Sequence, residues 1–227
     1  MKIFKIILPI ILILSLIASA HQPRIVYNKD ATPDRPIIIK DPEISRAFYG
    51  ELDGNEDNYM IISEKPSKLY LNILTPYNLM ENRKDFFVEV RDFENDRVTF
   101  LDGTQGEWKL YYEKFGRDYY MMGPELRREL EEGIYYMNVS SNDNTGKYTL
   151  AVGEIESFPP GEILKTFISV PKIKMQFFGK PWYKAFTNTV GISMLIVLLG
   201  IIALIVFILR VRKMTKRKPN SPKQLTS

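Results

Sequence analysis

The chain has 227 residues, with 31 Lys plus Arg, 27 Asp plus Glu, a single His and no Cys. That inventory excludes a disulfide framework, a zinc site of His and Cys ligands, and a nucleophile served by a His inside the fold. A pI near 9.0 would suit a nucleic-acid binder, but the charge is segregated: residues 1–20 hold two Lys and no acid, residues 21–185 hold 22 basic against 27 acidic residues, and residues 186–227 hold seven basic residues and no acid. The part able to fold is therefore acidic, and no nucleic-acid role is expected.

Residues 1–20 have the three parts of a secretory signal: Lys2 and Lys5, an apolar run from Ile6 to Ile17, and Ala18-Ser19-Ala20 before the expected cut. The run is too short to cross a bilayer as a helix. Residues 21–44 carry Pro23, Pro33, Pro36 and Pro42 among Asp, Asn and Lys, and are expected to be an N-terminal linker rather than strands.

Over 45–153 the pattern changes to short runs rich in Tyr, Phe, Ile and Val, separated by Gly, Asn, Asp and Pro. This spacing predicts an all-β fold, a sandwich or a barrel. Strands are expected at 46–52, 58–63, 68–75, 86–92, 97–101, 133–140 and 147–152. The last two are expected to form a hairpin around Asn142-Asp143-Asn144-Thr145-Gly146, where Asn and Gly accept positive φ.

Two stretches within this region suggest sites. Asp53, Asn55 and Asp57 stand two apart, with Glu64 twelfth in the count, as in a calcium loop; Asn58 replaces the turn glycine and no helices flank it, so a solvated turn competes with a looser Ca2+ site. Residues 106–128 are the most aromatic part of the chain. Trp108, Tyr111, Tyr112, Tyr119 and Tyr120 there are either core bulk or a surface for a glycan or a surface protein. Residues 125–132 have helix-forming composition ended by Gly133, so 106–128 reads as an insertion on the sandwich edge. Glu89, Asp92, Glu94, Asp96 and Asp102 supply carboxylates for a hydrolase, but acids alternating on strands ordinarily form a wet face. Asn138-Val139-Ser140 is a glycosylation sequon inside a strand.

Residues 154–186 form a juxtamembrane amphipathic segment: Ile163, Leu164, Phe167, Ile168 and Val170 recur at helical spacing, and Pro171 interrupts. Lying in the lipid interface and packing under the β-domain both explain it. Residues 187–209 are expected to be a transmembrane helix, since 190–209 lack any charge and twenty residues at about 1.5 Å each match the roughly 30 Å hydrocarbon layer. Trp182, Tyr183 and Phe186 sit where an interfacial aromatic belt belongs, and Arg210, Arg212 and Lys213 open a basic tail, 210–227, expected to be cytoplasmic and disordered.

Phe48-Tyr49-Gly50-Glu51-Leu52 with Asp57-Asn58-Tyr59, and Gly133-Ile134-Tyr135-Tyr136 with Tyr148-Thr149-Leu150, resemble the pre-peptidase C-terminal (PPC) β-sandwich. Members of that family carry a G-x-L, D-x-Y opening and a G-x-Y-Y, Y-x-L closing hairpin. The resemblance covers about residues 45–153 and implies an antiparallel β-sandwich of jelly-roll type, turn-forming glycines and a module that accompanies secreted enzymes without catalysing. The whole layout suggests a prokaryotic, single-pass plasma-membrane protein with its N-terminal domain outside. Its expected work is non-catalytic binding; the alternatives are an accessory subunit of a membrane assembly, or a calcium-binding or carboxylate-based hydrolase domain.

Overall fold

A computed structural model describes residues 21–27, 30–77, 84–114, 116–157, 159–187 and 189–215. The expected signal peptide at 1–20 and most of the tail, 216–227, lie outside the described residues. The strands are β1 (Gln22–Ile25), β2 (Ile37–Lys40), β3 (Arg46–Asp53), β4 (Asp57–Ser63), β5 (Ser67–Pro76), β6 (Phe86–Arg91), β7 (Arg97–Asp102), β8 (Lys109–Glu113), β9 (Asp118–Leu130), β10 (Gly133–Ser141) and β11 (Thr145–Val152). They form a six-stranded sheet ordered β1-β3-β11-β5-β9-β8 and a five-stranded sheet ordered β2-β4-β10-β6-β7. The strand alternation read from the sequence selects the core: Tyr135, Met137 and Val139 of one sheet meet Tyr148, Leu150 and Val152 of the other in a single cluster. Each fully buried aliphatic side chain contributes about 1.5–3 kcal/mol.

The two closing strands do not form the expected hairpin. β10 pairs with β4 and β6, whereas β11 pairs with β3 and β5 in the opposite sheet. The connection is an arch between layers, as is β3 to β4, and the two arches touch where the Gly54 amide donates to the Asn144 carbonyl at 2.7 Å. A hairpin and an arch need the same inward alternation, so periodicity alone cannot separate them. Beneath the arches the sheets are joined by polar groups. The Tyr59 hydroxyl donates to that of Tyr148 at 2.7 Å, which donates to Asp57 Oδ2 at 2.6 Å. Gly50 is not a turn residue either: it lies within β3, and a Cβ there would fall 2.4 Å from Tyr148 Cζ. Its missing side chain is what lets the Tyr148 ring reach Asp57.

Two further expectations are corrected. Residues 21–44 are not merely a linker, because β1 joins β3 and β2 joins β4, both parallel, one on each sheet. Pro23 is tolerated because β1 is an edge strand, where one missing N–H costs no inner ladder bond. Residues 125–130 are not helical but complete the 13-residue β9, paired with β5 from Ser67↔Leu130 to Pro76↔Tyr120 with a bulge opposite Asn72/Leu74. Leu126 and Leu130 pack with the core at strand spacing, and that burial with a ladder partner outweighs the helix propensity of Glu, Leu and Arg. The aromatic stretch is thus a hairpin within the sheet, with β8 at its edge.

Beyond the sandwich come α1 (Pro160–Lys172), a π-helical turn (Ile173–Phe177), a 3-10 turn (Trp182–Phe186) and α2 (Thr189–Thr215). Pro171 does not break α1 but precedes the widening to π geometry, where a missing N–H loosens the ladder. Gly191 admits α2 close to the 3-10 turn, since a Cβ there would lie 2.0 Å from the Ala185 carbonyl oxygen. α2 continues through Arg210, Arg212 and Lys213, so the first residues of the tail are helical rather than disordered.

Candidate functional site

The most elaborate contact in the described residues is the junction between the β8–β9 hairpin and the segment leading to α2. Lys174, only 3% exposed, is buried from the π-helical turn against Asp118 at the start of β9. Its Nζ donates to Asp118 Oδ2 and, at 2.6 Å, to the Gly116 carbonyl. Lys180 donates to the other Asp118 oxygen at 2.8 Å. Burial pushes the Lys174 ammonium below its usual pKa, and Asp118 opposes that shift. Phe177 and Phe178 pack edge-on to Tyr49 and Tyr120, with ring centroids 5.2 and 5.5 Å apart respectively. Lys147 of β11 closes the seam by donating to the Gln176 and Phe177 carbonyls at 3.0 and 3.1 Å. The amphipathic segment therefore packs on the β-domain, the second of the two placements open from sequence. Its other face is uncovered, with Leu164 and Ile168 at 65% and 55% exposure.

Of the residues expected at a membrane interface, Trp182 and Tyr183 are exposed, and Phe186 packs on Phe167 at 5.5 Å and on Trp182 at 6.0 Å. Among residues described with their side chains, no helix is long and apolar enough to cross a membrane. Consecutive described side chains in α2 run only from Leu198 to Lys213. The full α2 sequence is 27 residues long with no charge from Val190 to Leu209, and most of its described apolar side chains, including Leu199, Ile202, Ile205 and Leu209, are exposed.

The aromatic candidates divide. Tyr120 is buried, and Trp108 is half-buried against the core with Nε1 donating to the Gly103 carbonyl at 2.8 Å. Tyr111, Tyr112 and Tyr119 are exposed, the last two packed together at 4.7 Å across the β8–β9 ladder. Core and surface were both present in one run, because β8 is an edge strand beyond the end of the opposing sheet.

Asp53, Asn55 and Asp57 line a cleft of about 430 Å³ between the arches, beside Thr32 and Asn144. Asp57 is not an open ligand: it is 3% exposed and accepts from Tyr148. Burial raises its pKa to about 6, Tyr148 opposing and Asp53 adding to the shift. Among the described residues no group of three or more His, Asp or Glu side chains is placed to hold a metal. The strand carboxylates are occupied locally: Glu89 accepts from Arg91 and Arg97, and Asp92 from the Asp96 amide. Hydrogen bonds from Thr104 hold Asp102 below its usual range, so it is not a proton donor near neutrality. His21 contacts Ser45 at the start of the sandwich, far from these groups in the strand order.

One surface was not singled out from sequence. On the outer face of the five-stranded sheet, Ile38, Met60 and Tyr136 stand in register across three strands, flanked by Arg91, and Ile62 and Ile134 pair in the next row beside Lys40. Ile38, Ile134 and Tyr136 are 57%, 40% and 39% exposed. The signal was available: once Tyr135 and Met137 are assigned inward, Ile134 and Tyr136 must face out.

No model of a known protein family matches the chain, and no curated protein matches its sequence. Among solved structures, the chain is similar to the pre-peptidase C-terminal domain of a collagenase from Bacillus anthracis, at 16% identity and TM-score 0.34, over 52% of this chain and 91% of that one. It is also similar to a β-glucosidase from Paenibacillus barengoltzii at 9% identity and TM-score 0.29, over 58% of this chain and 13% of that one. Scores this low carry no argument; the β-sandwich assignment stands on the two sheets and their common core.

Proposed function

We propose that this chain is a single-pass membrane protein whose sandwich lies outside the cell as a non-catalytic protein-binding module. α2 is the span: an apolar helix most of whose described side chains are exposed is unfavourable in water and fits a hydrocarbon layer. Arg210, Arg212 and Lys213 favour the cytoplasmic side for its far end. The observation that carries the binding role is the outer face of the five-stranded sheet, where aliphatic side chains occupy the normally wet side. Ile38, Met60, Ile62 and Ile134 favour a protein over a glycan, since a sugar platform needs flat aromatic faces with polar neighbours.

The test is purification of the intact protein from its own membranes in mild detergent, beside the Ile134→Asp variant. Wild type retaining a stoichiometric protein that the variant loses, at unchanged thermal stability, is the expected result. Equal retention by both would refute the assignment of this face. A second reading, an accessory subunit of a membrane assembly, is favoured by the buried Lys174–Asp118 junction, which fixes the sandwich on its anchor. A partner reached through the juxtamembrane segment would meet Leu164, Ile168 and Met175; Phe177 is already buried against Tyr49.

A further inference from the structure

We infer that the β8–β9 turn is a second membrane contact, holding Tyr112 and Tyr119 at the lipid interface and Lys114 and Arg117 against anionic headgroups. The inference rests on α2 being a membrane span. Its first support is position. Arg117 Nη1 donates to the Thr187 carbonyl at 3.0 Å, and Thr187 is two residues before α2 begins. Lys174 binds Gly116 and Asp118 on either side of Arg117, so the β9 end of the turn is fixed against the segment that leads to the helix. Whatever depth the helix start adopts, this turn shares it to within the reach of one arginine.

The second support is chemistry suited to that depth. Leu110, Tyr112 and Tyr119 are 57%, 39% and 50% exposed, although they stand on a paired strand where core burial would be the usual fate of such residues. Trp182 and Tyr183, from a separate element at the helix start, are 56% and 50% exposed. Rings with a polar end favour the boundary between hydrocarbon and water. Charge points the same way. Asp118 is occupied by two lysines and Glu113 accepts from the Gly116 amide, leaving Lys114, Arg117 and Lys184 as the exposed charges around the turn. Exposed cations are attracted to an anionic lipid surface. A protein partner using the same residues would not explain why the turn is tied to Thr187, just before the span.

The chain has no Cys, so single-cysteine labelling needs no background removal. Full-length Lys114→Cys and Ile201→Cys variants would be spin-labelled in nanodiscs of mixed zwitterionic and anionic lipid, and probed for collision with oxygen and with a water-soluble nickel chelate. The Ile201 label should lie in hydrocarbon, and the Lys114 label in the headgroup layer, about 5 to 7 Å thick, with chelate access several-fold below that of free label. An Ile201 label in hydrocarbon with fully aqueous access at Lys114 would overturn the membrane contact and leave the span standing. Aqueous access at Ile201 would overturn the span and the inference with it.

Discussion

Replacing Asp118 with Ala leaves the Lys174 ammonium buried with only the Gly116 carbonyl as partner. Breaking one half of a buried ion pair costs about 3–5 kcal/mol, and the exposed side of the network, Lys180, contributes at most about 1 kcal/mol of that. The protein has a cheaper response than unfolding. Releasing the π-helical turn exposes Phe177 and Phe178 at about 1.5–3 kcal/mol each, so the junction is expected to open while the sandwich persists. Trypsin cleavage in the 172–184 segment of the detergent-solubilised protein should then accelerate roughly hundredfold, the equivalent of about 3 kcal/mol in opening free energy, with a small change in melting temperature. The deficit should shrink as pH rises towards 10, because unfolding or release restores the ordinary lysine pKa of about 10.4 and the open state then binds more protons than the closed one. A Lys174→Met, Asp118→Leu double variant should recover protection, since an apolar pair replaces a buried ion pair at little cost. Protection of Asp118→Ala equal to wild type, or a double variant as labile as the single one, would refute this account of the junction.

Two other outcomes follow from the buried groups between the arches. With its pKa raised to about 6 from 3.8, Asp57 binds protons more strongly folded than unfolded. Its contribution to stability is fully present below about 3.8 and lost as pH rises through 6, about 3 kcal/mol in all; urea titrations of wild type and Asp57→Asn should diverge in this window, and parallel pH profiles would exclude it. Millimolar calcium is expected to leave the melting temperature unchanged, because Asp57 is committed to Tyr148 and the cleft offers Asp53 and Asn55 in its place. A rise of several degrees abolished by Asp53→Ala would establish a cation site there.

The class of fold was legible because a sandwich needs only inward alternation, and the residues that alternate, such as Tyr135, Met137 and Val139, are those found in the core. The absence of Cys and of any His but one likewise bounded the chemistry before any geometry was known. The length and apolarity of 190–209 are local properties, and no tertiary contact was needed to read them. What the sequence left open was every choice between partners of equal local merit. Whether β10 and β11 share a sheet is settled by their ladder partners, β4 and β6 for one and β3 and β5 for the other, which lie far off in the chain. Residues 125–130 became strand because β5 offered a ladder edge along their whole length. Within a single aromatic run, Tyr120 is core and Tyr119 is surface because the π-helical segment covers one side of the hairpin and nothing in the opposing sheet reaches the other. Local propensity acts over a few residues, whereas burial is decided by whichever distant surface arrives, and that is why the Lys174–Asp118 junction and the bond from Arg117 to Thr187 emerged only in three dimensions.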